Sequence, residues 1–497
     1  MMKKSILILL TALVAATACE KSFEADNTSY LSGEKAITMV ENDPEFLASY
    51  VSGFYSWMVA PLQTYSGHDD FGFLSCTMIA EFMCGDIAMG GGQHFGMYDY
   101  IHEYCGYEYV RCRQLWGQFY TLINNANAVI DFFEQGVDPD SPTARGYLGQ
   151  AYAVRAFSYM YLLNFFQDPV DESGAFRADA PGVPMVSATR DGYSTDEAAQ
   201  LKGRNTQAVV MDRIEADFAE AIKLLEGYQR GSKNEIDLSV AQGLAARYYL
   251  YVQKWDKAAE MAALAEAGYD IMDTARLFAG FKDVEDAEIM WGFNHTTDSY
   301  GMYASFPSHF CHDHGGYASI MYKCIDAKLY SQIPDTDVRK ALWNGPDGDP
   351  TAQTEASAYP YASRKFGYDA NWLQDYIYMR ASEMKLIQAE AYARLGKSSE
   401  ATAALKSLLA KRNNQWVGTA SVEEVLLQRR IELWGEGFAY YDLKRNGLGV
   451  VRKYEGTNHP VWGQIDYPAH DNTWNFQIPR SEMQNNLMLS DADQNEL

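Results

Sequence analysis

The stretch DYIYMRASEMKLIQAEAYARLGKSSEATAALKSLLAKRN, residues 375–413, decides the fold of this chain. Apolar and alanine side chains recur at helical spacing from Met384 to Leu395, and again from Ala401 to Leu408. Small alanines on the facing stripes allow two helices to pack closely, and the Gly-Lys turn between them is typical of tetratricopeptide-like hairpins. The stretch therefore predicts a helix, a tight turn and a second helix.

A third helix is predicted to begin at Ser421. The sequence Ser-Val-Glu-Glu fits a capping box, in which the Ser421 hydroxyl accepts a free backbone N–H and the Glu424 side chain reaches back. No proline interrupts the run that follows, VEEVLLQRRIELWGEGFAYYDLKRNG, residues 422–447. Helical structure is therefore expected to continue beyond the hairpin.

The first half of the chain contains two further predicted helical pairs, over residues 110–135 with 144–166, and 206–225 with 239–253. The second of these pairs leads into KWDKAAEMAALA, residues 254–265. A shift of 143 residues aligns residues 239–265 with the stretch quoted above, matching Ala246, Tyr249, Lys254 and Ala258 to Ala389, Tyr392, Lys397 and Ala401. Each hairpin must bury its apolar stripe against another, so this weak repeat predicts stacked hairpins.

Residues 268–372 lose the helical period and are rich in glycine, aromatic and polar side chains. A segment of this length is too long for an ordinary connection, and long loops on a helical scaffold commonly carry function. The fold class predicted is mostly α, a tetratricopeptide-like helical-hairpin scaffold with long loop-rich insertions. We expect one unit over residues 19–497, with an N-terminal half (19–267), the insertion (268–372) and a C-terminal half (373–497).

Residues 1–18 are predicted to be a bacterial lipoprotein signal rather than part of the fold. Lys3 and Lys4 precede the apolar run ILILLTALVAA, which is too short to span a membrane and is followed by small residues and Cys19. Cys19 is the expected lipidation site, and a plain secretory signal is the alternative. Acyl chains on Cys19 would hold the protein on a membrane without a spanning helix.

The formal net charge of −25 argues against nucleic acid, anionic lipid and anionic polymers as bulk electrostatic partners, and says nothing about neutral ligands. Six cysteines remain after Cys19, and an exported protein could oxidise them. Cys105 and Cys112 would lie about 10 Å apart along a shared helix, beyond the roughly 7 Å limit for a disulfide. We expect mostly buried free thiols at Cys76, Cys84, Cys105, Cys112, Cys311 and Cys324.

The C-terminal stretch resembles the RagB/SusD family of outer-membrane proteins. The matching positions are Arg380, Glu383, Ala389, Glu390, Ala391, Arg429, Arg430, Glu432, Leu433, Glu436, Gly437, Asp442, Leu443 and Arg445. Gln428 and Ala439 stand where the family usually has Glu and Arg, so its ion-pair network is expected to differ locally. Charges on a packed helix must be paired, which predicts a structural role for these residues.

The resemblance implies a non-catalytic lipoprotein, anchored to the bacterial outer membrane and exposed on the cell surface. Such a protein captures oligosaccharides and passes them to a TonB-dependent transporter, without a cofactor. The alternatives are a peptide-capturing member of the same family, a pure adaptor and an all-α glycoside hydrolase. A peptide site would be a deeper groove with main-chain partners, and a hydrolase would need two carboxylates at catalytic distance.

Three groups of residues suggest other chemistry, and each has a simpler interpretation. A histidine-rich cluster lacks a second spaced half of a metal site, so loop hydrogen bonding is expected. An Asp-Gly-Asp turn lacks the ligand spacing of a calcium loop, and adjacent aspartates do not set the separation that glycoside hydrolysis needs. These groups are His309, Cys311, His312, Asp313 and His314; Asp347, Gly348 and Asp349; and Asp69 with Asp70.

Glycan contacts are predicted in two loops, because sugar rings stack on exposed aromatic rings. One loop follows the Gly90–Gly92 triplet and the other surrounds Trp291. The resemblance implies that ligand contacts come from loops in these two regions, as they do in the RagB/SusD family. No motif identifies the individual residues. The predicted stacking residues are Tyr98, Tyr100, Trp291, Tyr300 and Tyr303, and the predicted hydroxyl partners are Asp99, Asn294 and Asp298.

Overall fold

The computed structural model describes residues 39–40, 43–134, 141–188, 195–299, 303–368 and 372–497. The prediction of a mostly α fold is confirmed. The helices of ten or more residues in these ranges are α1 (Ala48–Val59), α2 (Phe73–Phe82), α3 (Val110–Glu134), α4 (Pro142–Phe166), α5 (Gln207–Leu224), α6 (Leu238–Tyr251), α7 (Trp255–Ala265), α8 (Ala381–Arg394), α9 (Ser398–Lys411) and α10 (Val422–Glu432).

Shorter α-helices occupy the loops between them, at Met97–Tyr100, Thr195–Leu201, Thr274–Leu277, Phe306–Phe310, Ala327–Ser331, Glu355–Ala358, Ala439–Arg445 and Arg480–Asn485. Among the residues that the structure describes, no helix combines the length and apolar character that crossing a bilayer would require. The signal segment and Cys19 lie outside the described residues.

The long helices stack as consecutive hairpins. Helix α4 packs against α3 and α5, α7 packs against α6 and α8, and α8 packs against α9 and α10. The 143-residue shift superimposes the bounds of α6 on those of α8. The turns match as well, because the Lys254 N–H donates to the Tyr249 carbonyl and the Lys397 N–H to the Tyr392 carbonyl, both at 2.9 Å. The weak sequence repeat is therefore a repeat of structure.

Helix α10 begins as predicted but ends earlier than the proline-free run allows. The Ser421 hydroxyl accepts the Glu424 N–H at 3.2 Å, while the Glu424 carboxylate accepts from the Gln428 amide at 3.0 Å. The chain leaves the helix after Glu432, and Gly435 and Gly437 then adopt φ values of 75° and 89°. These left-handed conformations favour glycine and break the helical run.

The charges of the C-terminal stretch form a buried network around Glu432. Its carboxylate accepts from Arg380 (2.8 Å), Arg412 (2.7 Å) and Arg339 (3.1 Å). Burial opposes the charged form, but these three guanidiniums outweigh it and hold the pKa of Glu432 well below its usual value. Gln428 joins the network by accepting from Arg339 at 2.6 Å, so the departure from Glu is accommodated. The predicted structural role of these charges is confirmed.

Two small antiparallel sheets connect the insertion to the scaffold. Strand β1 (Ile87–Gly91) pairs with β3 (Met321–Ile325), and β2 (Ile289–Phe293) pairs with β4 (Tyr376–Arg380). Gly90 and Gly91 thus end a strand, and the predicted loop follows it. Gly90 has no room for a side chain, because a Cβ atom there would lie 2.6 Å from the Tyr359 ring. The β1–β3 pairing brings the loop after Gly91 beside the insertion.

Candidate functional site

Aromatic rings from three separate loops meet on one surface, which we call the aromatic ridge: His68, His94, Phe95, Tyr303 and Tyr317. The rings of His94 and Tyr317 stack with centroids 4.8 Å apart, and Phe95 meets Tyr317 edge-on at 4.9 Å. The Tyr303 ring lies parallel to His68 at 6.2 Å and remains 45% exposed. Trp372 contacts Tyr303 edge-on at 5.5 Å and extends this surface.

The ridge is held from beneath by histidines. His68 Nδ1 lies 2.6 Å from the Tyr317 hydroxyl, and the buried His309 ring stacks under Tyr317 at 5.1 Å. His309 Nε2 donates to the His68 carbonyl at 3.0 Å. Burial, assisted by the nearby positive charge of Lys323, lowers the pKa of His309 to about 3, so its ring is neutral near pH 7. The ring of Tyr317 is therefore supported by a fixed, uncharged surface.

A cleft of about 430 Å³ opens beside the ridge, and we call it the tyrosine cleft. His94 and Phe95 belong to both features, so the two are continuous. The rings of Tyr98 and Tyr104 stack with centroids 4.7 Å apart on its wall. The remaining lining residues are Tyr65, Asp69, Gln93, Gly96, Met97, Val110 and Arg111.

The floor of the tyrosine cleft is a buried charge cluster centred on Arg111. Its guanidinium donates to Asp99 through Nε (2.7 Å) and Nη2 (2.8 Å), contacts Asp69, and donates to the Tyr65 hydroxyl at 2.9 Å. Burial raises the pKa of Asp99, and the charge of Arg111 opposes that rise. Bidentate pairing of this kind fixes both side chains, so the floor of the cleft is rigid.

Two family models match this chain and together cover most of it. Residues 89–250 match the model described as starch-binding associating with outer membrane, and residues 312–496 match the SusD family model. The chain belongs to the SusD family.

Solved structures and curated relatives agree with this assignment. A crystal structure of a SusD-like carbohydrate binding protein from Bacteroides vulgatus ATCC 8482 is 25% identical, with a TM-score of 0.77 over 91% of this chain and 98% of that one. SusD-like protein P2 of Formosa agariphila is 25% identical over 67% of this chain and 71% of its own. Surface glycan-binding protein A from Bacteroides thetaiotaomicron, solved with laminarihexaose, shares the fold at 15% identity, with a TM-score of 0.63 over 91% of this chain and 99% of that one.

The structure of this SusD-family protein places Tyr98 and Tyr303 on the candidate site. Tyr98 is 39% exposed in the tyrosine cleft, and Tyr303 belongs to the ridge. Asn294 and Asp298 are exposed, but neither lines the cleft. Tyr300 lies outside the described residues. Two of the predicted residues are therefore brought together through Phe95, His94 and Tyr317.

Trp291 is not a surface platform, so its assignment as a stacking residue is wrong. Its side chain is 0% exposed within β2, packs edge-on against Tyr378 at 5.0 Å, and donates to the Asn234 carbonyl at 3.0 Å. The run IMWGF is apolar throughout, which is typical of a strand buried on both faces. That signal distinguishes Trp291 from the aromatic residues that follow it.

Tyr100 and Asp99 are also corrected as ligand contacts, because both point into the protein. The Arg452 guanidinium lies 3.7 Å from the Tyr100 ring centroid, and the Tyr100 hydroxyl contacts His459. Both carboxylate oxygens of Asp99 accept hydrogen bonds from Arg111. Tyr98, Asp99 and Tyr100 all lie in the helical turn Met97–Tyr100. Tyr98 and Tyr100 are about 200° apart around its axis, so their side chains face opposite ways.

Sequence reasoning missed most of the ridge. The sequence does not single out His68, His94, Phe95 or Tyr317 of the ridge, the adjoining Trp372, or Tyr65 of the tyrosine cleft. His68 and Tyr317 do follow glycines that break the local helical period. The loop Gly315–Gly316 before Tyr317 is the clearest available signal, since glycine marks a turn that presents its neighbours. Only the tertiary structure brings these loops to one surface.

The other candidate groups have the structural roles expected of them. Cys311 Sγ donates to the Gly367 carbonyl at 3.0 Å, and His312 Nε2 accepts the Lys323 N–H at 2.9 Å. Asp349 accepts from the Thr351 N–H and hydroxyl at 2.8 and 2.6 Å, forming a polar turn. The six cysteines from Cys76 to Cys324 are buried free thiols, as predicted.

Proposed function

We propose that this SusD-family protein captures a glycan on the aromatic ridge and in the tyrosine cleft. The observation that carries the proposal is the continuity of the two, because exposed ring faces lie next to a cleft with polar groups. The apolar C–H faces of sugar rings would stack on the exposed rings of Tyr303 and Tyr98. Gln93 and the tyrosine hydroxyls in the cleft would bond sugar hydroxyls, as the few polar groups of a ligand site do.

The exposed rings of the aromatic ridge support a glycan over a peptide. Peptide capture commonly uses main-chain hydrogen bonds along a sheet edge or a deep groove. The ridge instead offers ring faces at its surface, including the half-exposed Tyr303 ring. The name of the Bacteroides vulgatus relative and the starch-binding family description also support carbohydrate as the ligand class.

We propose that the protein is not a hydrolase. Asp69 and Asp99 are the carboxylates at the cleft, and both are engaged by the single guanidinium of Arg111. Asp70 accepts from the Thr64 N–H (2.7 Å) and hydroxyl (3.0 Å) and from the Tyr65 N–H. A glycosidase needs one carboxyl to release a proton to the glycosidic oxygen and a second one facing the sugar. Release of reducing ends from a bound polysaccharide by the pure protein would contradict the proposal.

Capture for import requires a partner, which we propose is a TonB-dependent outer-membrane transporter. A lipid anchor at Cys19 would confine the protein to the membrane surface, so that a second contact there becomes effectively intramolecular and strong in total. The transporter should be recovered when the protein is purified from detergent-solubilised membranes. Its consistent absence, in detergent that preserves other outer-membrane complexes, would count against this partner.

Binding to a polysaccharide panel tests the central proposal. The mature protein should be retarded in native gels that contain one or a few polysaccharides, and calorimetry should then give a dissociation constant for the matching oligosaccharide. A peptide library run in parallel tests the alternative ligand class. Binding of peptides without any retardation by glycans would replace the proposal with peptide capture.

A further inference from the structure

A second surface cleft lies next to the tyrosine cleft and is not used in the function proposed above. It has a volume of about 370 Å³ and we call it the arginine cleft. Tyr107 and Tyr109 are 37% and 38% exposed at its edge. Its lining residues are Tyr107, Glu108, Tyr109, Val110, Arg113, Pro479, Arg480, Ser481 and Gln484.

The two clefts are joined by a continuous series of tyrosine rings. Tyr104 stacks on Tyr98 with centroids 4.7 Å apart, and its other neighbour is Tyr109, at 4.9 Å and an interplanar angle of 31°. Tyr104 lines the tyrosine cleft, Tyr109 lines the arginine cleft, and Val110 lines both. A chain of sugars leaving the first cleft along these rings would therefore reach the second.

The arginine cleft carries positive charge on a strongly negative protein. Arg113 is exposed in the first turn of α3, and no described residue pairs with it. Arg480 lies over the Tyr107 ring at 5.0 Å and contacts Glu108 at 2.9 Å, with both side chains more than half exposed. An exposed ion pair of this kind is weak, so Arg480 can exchange Glu108 for a ligand group. The net charge of −25 disfavours anionic polymers as bulk partners, but the two arginines and single glutamate of this cleft make it locally positive.

We propose that a glycan long enough to span both clefts binds here and carries an anionic group on the arginine cleft. The group would be a uronate carboxylate or a sulfate ester, either of which matches the planar donor fork of arginine. Sugar faces would stack on Tyr98 and Tyr109, the end rings of the series, and Arg113 and Arg480 would bind the charge. This inference rests on the proposed glycan function and adds a class of substrate to it.

The test compares glycans of matched backbone with and without charge. The probes are homogalacturonan of low and high methyl-ester content for carboxylate, and dextran sulfate with dextran and κ-carrageenan with its desulfated form for sulfate. The parent should bind at least one anionic member about tenfold more tightly than its neutral counterpart, and added NaCl should weaken that binding. The uronate and sulfate pairs distinguish the two sources of charge.

Variants then locate the preference. Arg113→Gln/Arg480→Gln should lose the preference for the anionic probe by about tenfold while binding neutral glycan as the parent does. Arg364→Gln removes one exposed arginine that lines neither cleft, and should behave like the parent. Equal binding of each matched pair by the parent, or an unchanged preference in the double variant, would overturn the inference and leave glycan binding intact. Absence of binding to every glycan would overturn both proposals.

Discussion

The rings of His68 and Tyr303 lie parallel to within 15°, with centroids 6.2 Å apart, although one precedes α2 and the other belongs to the insertion. His68 is held in turn by the Tyr317 hydroxyl. The contact joins the first loop region to the insertion, and so creates a surface that neither segment has alone. Substitutions of the exposed rings should affect binding, whereas substitutions of the buried residues should affect stability.

Tyr303→Ala and Tyr98→Ala should each weaken binding of the identified glycan by about tenfold or more. Stacking of a flat ligand ring on an aromatic side chain contributes about 1–3 kcal/mol, and each variant removes one exposed ring. Calorimetry on protein with unchanged circular dichroism is the measurement. Tyr359→Ala, which removes a tyrosine 38% exposed outside the ridge and both clefts, is the control. If Tyr303→Ala and Tyr98→Ala both bind like the parent, the site lies elsewhere.

Trp291→Ala should lower stability rather than remove a ligand contact. Truncating a buried tryptophan costs about 3–5 kcal/mol, and here it also leaves the Asn234 carbonyl without its indole partner. Urea denaturation should show this loss, with a smaller one in Trp291→Phe. Unchanged stability together with weakened glycan binding would contradict the buried position of Trp291.

Arg111→Gln should reduce the free energy of unfolding by about 3–5 kcal/mol, because it leaves buried carboxylates without their positive partner. Adding Asp99→Asn should recover part of that loss, since one of the unpaired charges is then removed. Denaturant unfolding of the two single variants and the double variant measures the coupling. Strictly additive losses would show that the pair does not interact as described.

Stability should depend on the ionisation of Glu81, which accepts the N–H groups of Gly437 (2.9 Å), Phe438 (2.9 Å) and Ala439 (3.3 Å). Burial, reinforced by the charge of Asp86, raises its pKa from 4.5 to about 8. Between these values the folded protein holds a proton that the unfolded chain has released. The contribution of Glu81 to the free energy of unfolding therefore falls as pH rises from about 5 to about 8.

Glu81→Gln removes this titration while keeping an oxygen that can accept the same N–H groups. The free energy of unfolding of the variant minus that of the parent should therefore increase from pH 5 to pH 9, by on the order of a few kcal/mol. Thermal unfolding at both pH values is the measurement. A stability difference that stays constant across this range would show that Glu81 ionises normally in the folded protein.

Cys19→Ala should move the protein from membranes to the soluble fraction. The prediction rests on the charged start, the short apolar run and the small residues before Cys19. Fractionation of cells that express the parent or the variant, with an unrelated outer-membrane protein as the fractionation control, is the measurement. Unchanged membrane association of the variant would exclude lipidation at Cys19 as the anchor.

Much of the scaffold could be predicted because helical periodicity is local. The alanine stripes of α8 and α9, the Ser421 cap and the 143-residue repeat all depend on residues close in sequence, and the structure contains each of them. The early end of α10 was not predicted. A proline-free run does not reveal that Gly437 lies against α2, where a Cβ atom would fall 2.3 Å from the Thr77 side chain.

By itself, the sequence determined the mostly α scaffold and the need to pair its motif charges, and it predicted two of the three loop regions that form the candidate site. Only the tertiary structure decided which aromatic rings face solvent. Trp291 is buried by the pairing of β2 with a strand far along the chain, whereas Tyr303 is left exposed beside His68. The direction of a loop side chain depends on such distant contacts, and local periodicity carries no information about them.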